Sequence, residues 1–244
     1  MNISKTSTGR ESKPKITASS SALMRWAGLS ALVSGLGFII VGLYHPLNVP
    51  SAVTTAAWVN VHIVAIAMGF FGLFGMAGLY ARQAEKASWL GLAGFVLFSL
   101  WLGLIISFSF VEAFILPSLS TELPAFVEGF LGMFTGVASQ IDLGILPMLW
   151  KISGPMFIVG PLLFGIATFR AGTLPRVAGA LLAVGSILIP VGAFLPPELE
   201  PRVMIPIGLA LAWLGYALFS KRREKATELV PAHSSARPEP SKVA

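Results

Sequence analysis

The stretch WVNVHIVAIAMGFFGLFGMAGLYA, residues 58 to 81, carries no charged residue and places glycines at positions 69, 72, 75 and 78. In a soluble helix each of these glycines would cost about 1 kcal/mol relative to alanine. In lipid the balance changes, because acyl chains give helices no hydrophobic reason to associate and small residues that let backbones approach take over that role. A step of three residues turns a helix by about 300°, so Gly69, Gly72, Gly75 and Gly78 sweep a slanted groove over roughly 13 Å. A groove of that shape predicts a packing surface that more than one neighbouring helix can enter.

Outward from this stretch the pattern continues. The chain of 244 residues is 55% hydrophobic and 11% charged, against about 25% charged in a typical soluble domain. No Lys, Arg, Asp or Glu lies between Arg25 and Arg82, and none lies from Ala87 to Val111. A membrane-crossing helix needs about 20 apolar residues. The sequence therefore predicts an all-α polytopic membrane protein, a six-helix transmembrane bundle with helices over about 24–44, 57–81, 88–114, 149–169, 177–195 and 203–220. This membrane domain, 23–220, is flanked by tails at 1–22 and 221–244 that are rich in polar and basic residues and are expected to be disordered. The first apolar run is too long for a signal-peptide core and ends without a small-residue cleavage site, so it reads as an uncleaved anchor.

Orientation follows the distribution of Lys and Arg. With the N-terminus in the cytoplasm, all but Lys151 and Arg202 of the 17 basic residues fall on the cytoplasmic side. The opposite side carries Glu122, Glu128, Asp142, Glu198 and Glu200. The expectation is thus a cell (inner) membrane protein of bacterial type with both termini cytoplasmic. The basic balance needs no nucleic-acid partner. Lys221, Arg222, Arg223 and Lys225, just beyond the last helix, act as an orientation signal and are placed to meet anionic lipid headgroups.

Two features interrupt the regular pattern. Residues 121–139 form a segment too long for an ordinary connection; Thr121 is expected as an N-cap, Pro124 falls in the first turn, and Phe126, Phe130 and Phe134 recur at helical spacing. The segment reads as interfacial, re-entrant or spanning, and its length is short for a crossing. Pro155 and Pro161 interrupt the fourth helix, which marks either a substrate site or tolerated membrane prolines. A faint threefold similarity joins RWAG (25–28), SWLG (88–91) and RVAG (176–179), as parallel repeats of helix hairpins would.

Ionisable residues at membrane depth are the strongest functional pointers in such a chain. His45 ends the first helix, His62 lies inside the second and Glu112 lies near the end of the third. The threading brings all three to the outer half of the bilayer, with Asn60 and Ser109 close by and Glu128, Asp142 and Lys151 within reach of folding over them. Imidazole and carboxylate together suit a proton, a small polar ligand or a divalent metal. The bland alternative is that these side chains sit at headgroup level or satisfy one another. No cofactor is expected from the sequence; a divalent metal, or a haem held by His45 and His62, is the alternative those residues leave open. No cysteine is present, which excludes thiolate chemistry, and no G-x-S-x-G, H-E-x-x-H or P-loop stands in the chain. The reading leans away from enzyme activity, towards a protein that binds or moves a small ligand or ion. A metal or haem enzyme built on His45, His62 and Glu112, and a structural subunit packing through its glycine-rich helix, are the competing classes.

Overall fold

The computed structural model describes residues 20–228, with side chains as far as Ser220. The first 19 residues, the end of the C-terminal tail and the side chains of Lys221, Arg222, Arg223 and Lys225 lie outside the described residues. Among the described residues the order is α1 (Ser20–Tyr44), a 3-10 turn (Pro50–Ala52), α2 (Ala56–Phe110), a π-turn (Val111–Ile115), α3 (Leu116–Leu119) and α4 (Pro124–Thr135). There follow α5 (Leu146–Ala171), α6 (Arg176–Leu188), two further 3-10 turns (Ile189–Phe194 and Glu200–Met204) and α7 (Ile205–Glu228). Five runs are long and apolar enough to cross a membrane, at 20–44, 56–119, 146–171, 176–194 and 200–220. The protein is an all-α polytopic membrane bundle.

The longest run explains why five runs build six arms. A straight helix over the 55 residues of α2 would be about 80 Å long. Instead Ser88, at φ 52° and ψ −170°, reverses the chain in a single residue. Past it the second arm lies back along the first: Tyr80 and Phe95 stack with ring centroids 4.9 Å apart, and Gly69 and Gly72 face Leu102 and Ile106. Helical structure thus runs through Arg82–Ala87, where the sequence suggested a loop.

The arms close into a ring in chain order, and small residues form the seams. A Cβ on Gly75 would lie 2.6 Å from the Ala31 backbone, which brings α1 against the first arm of α2. Gly78 meets Ala27 at the same seam. Gly94 and Gly160 join the second arm to α5, Gly165 and Gly179 join α5 to α6, and Gly185 joins α6 to Ile207 of α7. Gly28 and Gly35 of α1 lie against Gly215 and Gly208 of α7 and complete the ring. Inside it, Phe38, Phe98, Trp101 and Phe157 pack ring on ring, Trp101 and Phe157 at 3.9 Å. Leu182, Ile207, Leu211 and Leu214 fill the remaining core.

Several boundaries differ from expectation for local reasons. Helix α1 begins at Ser20, so Ser20–Ala22 belong to it rather than to the tail. Leu123, not Thr121, is the N-cap of α4, and it offers no side-chain cap. Helix α5 starts at Leu146 and runs unbroken past both prolines, with Pro155 exposed and Pro161 buried. Pro190 turns the end of α6 into a 3-10 turn. Helix α4 has 12 residues, about 18 Å, too short to cross alone. Val127, Phe130 and Leu131 pack it against Val53, Trp58, Phe108 and Leu116, so that it caps one end of the bundle.

Candidate functional site

At the capped end, the first turns of α2 begin the site. Thr55 caps the helix by accepting from the Trp58 amide at 3.2 Å, and Trp58 itself is fully buried. One turn further, His62 Nδ1 lies 2.7 Å from the Trp58 carbonyl oxygen. A carbonyl can only accept, so Nδ1 carries the hydrogen and donates. That choice leaves Nε2 facing Glu112 Oε2 across a gap of 3.3 Å, with both side chains buried. The contact is at ion-pair distance but not aligned as a hydrogen bond, and His62 Nε2 has no other partner.

Glu112 reaches this position because the helix changes register beneath it. Leu116 donates its amide to the Val111 carbonyl, one residue further back than an α-helix requires. The next amide, which would serve the Glu112 carbonyl in the same register, belongs to Pro117 and does not exist. The indole of Trp58 supplies the missing donor, with Nε1 at 2.8 Å from the Glu112 carbonyl oxygen. Single π-turns of this kind are frequently found at functional sites.

His45 follows the last residue of α1. Its Nδ1 is 2.7 Å from the Pro46 carbonyl oxygen and therefore also donates. Its ring stands edge-on to His62 at 5.1 Å and to Trp58 at 6.1 Å. Burial chiefly, and the neighbouring His62, push the His45 imidazole below its usual range, against smaller opposing effects of Glu112 and the Pro46 carbonyl.

His45, His62 and Glu112 therefore come together, drawn from three different arms. Ser109 is buried one turn before Glu112, whereas Asn60 is exposed, about 200° around the helix from His62. Glu128, Asp142 and Lys151 are all exposed, and none folds over the pair. Among the described residues no three His, Asp or Glu side chains stand close enough to hold a metal. Two rings 5.1 Å apart leave no room for a macrocycle between them, so a haem with these two axial ligands does not fit. A hollow of about 370 Å³ lies at the opposite end between Leu23, Trp26, Phe74 and Gly78. The sequence reading overlooked Trp58 and Pro117, although tryptophan four residues before His62 and proline five after Glu112 were there to be read.

No family model matches the chain, and no curated protein and no solved structure matches it either. What the fold and composition define is a class, an all-α membrane-embedded bundle.

Proposed function

We propose that this chain is a six-crossing protein of the inner membrane with both termini cytoplasmic, and that the ion it binds is a proton, held between His62 and Glu112 near the outer face. The asymmetry of Lys and Arg supports the orientation. The observation that carries the proton reading is the tautomer of His62: with Nδ1 donating to the Trp58 carbonyl, Nε2 and Glu112 Oε2 face each other as two acceptors at 3.3 Å.

One proton between these atoms resolves the conflict, either as imidazolium with carboxylate or as imidazole with carboxylic acid. Without it, a buried carboxylate would confront a lone pair, and an unpaired buried charge is strongly unfavourable. Below the pair the aromatic stack of Phe38, Phe98, Trp101 and Phe157 fills the bundle axis, so the arrangement favours binding and response over a continuous conduit.

The test is infrared difference spectroscopy of the detergent-purified chain across a pH titration, beside Glu112→Gln and His62→Gln. The reading requires one transition in which imidazole and carboxyl bands change together, lost in either variant. Independent titrations of the two groups, or none, would overturn it.

A further inference from the structure

We infer that His45 is the residue through which the buried His62–Glu112 pair exchanges its proton with water. This rests on the proton reading above. His62 is 2% exposed and Glu112 5%, and the fully buried Trp58 lies beside them at the capped end. A pair enclosed in this way needs a neighbour that touches both it and solvent. His45 is that neighbour: half-buried, beyond the end of α1, with its ring 5.1 Å from the ring of His62.

The chemistry of its two nitrogens fits the role. Nδ1 is committed to the Pro46 carbonyl at 2.7 Å, so Nε2 is the one nitrogen that can take up a proton. The ionisable groups acting on the ring are His62 from the first arm of α2 and Glu112 from the π-turn. Burial and His62 disfavour a lasting positive charge on His45, which suits a carrier that passes its proton on rather than retaining it.

The step balances simply. A hydronium ion gives its proton to Nε2, leaving water, and makes His45 an imidazolium. The same proton then passes to the carboxylate of the proton-free pair, and His45 returns to the neutral form with its Nδ1 hydrogen unchanged.

The experiment is a pH jump on the full chain in nanodiscs, with time-resolved infrared detection of the His62 and Glu112 bands. Wild type is compared with His45→Ala and His45→Gln, both checked for unchanged helicity and for melting at neutral pH or above. The expected result is proton uptake slowed about a hundredfold or more in both variants, the usual scale for a lost proton-transfer group. The final spectra should still show the pair protonated, and added free imidazole should restore the rate in His45→Ala, which a merely structural role would not produce. Uptake at the wild-type rate in both variants, with the bands intact, overturns the role of His45. Absence of the paired bands in wild type defeats the proton reading itself, a result distinguishable from the first.

Discussion

Trp58 holds Glu112 by its main chain and not by its carboxylate: the indole Nε1 donates to the Glu112 carbonyl at 2.8 Å. At its other end the Trp58 carbonyl accepts from His62 at 2.7 Å. One buried residue thus sets both halves of the pair, its main-chain carbonyl fixing the tautomer of His62 and its indole serving the backbone of Glu112.

Trp58→Phe keeps an aromatic ring but removes the indole donor, with part of the buried ring volume. Leaving the Glu112 carbonyl buried without a partner should lower stability by about 1–3 kcal/mol, read as a drop in the detergent melting temperature. Pro117→Ala restores a backbone amide near the π-turn, so Trp58→Phe should cost less in that background. Equal costs in both backgrounds would mean that Pro117 is not what creates the need for the indole.

Ser88 occupies a left-handed region that only glycine adopts without strain, a cost of order 1–3 kcal/mol. Ser88→Gly should therefore raise the melting temperature. A lower melting temperature would show that the hairpin does not turn at this residue.

The glycine seam can be tested against an internal control. A methyl group on Gly75 would press on the Ala31 backbone at 2.6 Å, whereas one on Gly103 would meet nothing within 4 Å. Gly75→Ala should weaken the contact between α1 and α2 and lower stability by about 1–3 kcal/mol, the usual cost of overpacking. Gly103→Ala should be neutral or stabilising by up to about 1 kcal/mol. Thermal unfolding of the two variants side by side decides the point.

His45 supplies a pH dependence of known sign. Its imidazole is held below the ordinary 6.5, so below that pH the unfolded chain binds more protons than the folded one. Stability from this residue is complete above 6.5 and is lost as the pH falls towards the lowered folded value. His45→Gln should flatten the melting temperature between neutral and mildly acidic pH, relative to wild type.

Much of this was legible in the sequence for physical reasons. Lipid demands long charge-free runs, so the gaps between Arg25 and Arg82 and from Ala87 to Val111 located the arms, and the threading brought His45, His62 and Glu112 to one end before any contact was known. Small residues at the seams were legible because only they let backbones approach. The remainder depended on tertiary context. Nothing local marks Ser88 as a reversal, since serine has no preference for positive φ. The cap formed by α4 depends on an apolar partner surface made by Val53, Trp58, Phe108 and Leu116, which are scattered along the chain. Asn60 stood close to His62 in sequence yet points away, because positions two apart on a helix lie about 200° around it and do not share a face. The π-turn was hidden because its cause, Pro117, acts on a carbonyl five residues earlier and is answered by an indole from another arm.

The most direct test of the central claim is nitrogen-15 NMR of His62 in the purified chain, with the resonance assigned through His62→Gln. The account predicts that Nδ1 carries a hydrogen at every pH at which the fold persists, while Nε2 gains and loses one, and that this change is altered in Glu112→Gln. A neutral His62 with its hydrogen on Nε2 and a bare Nδ1 would contradict it, because two acceptors would then no longer face each other and no shared proton would be required.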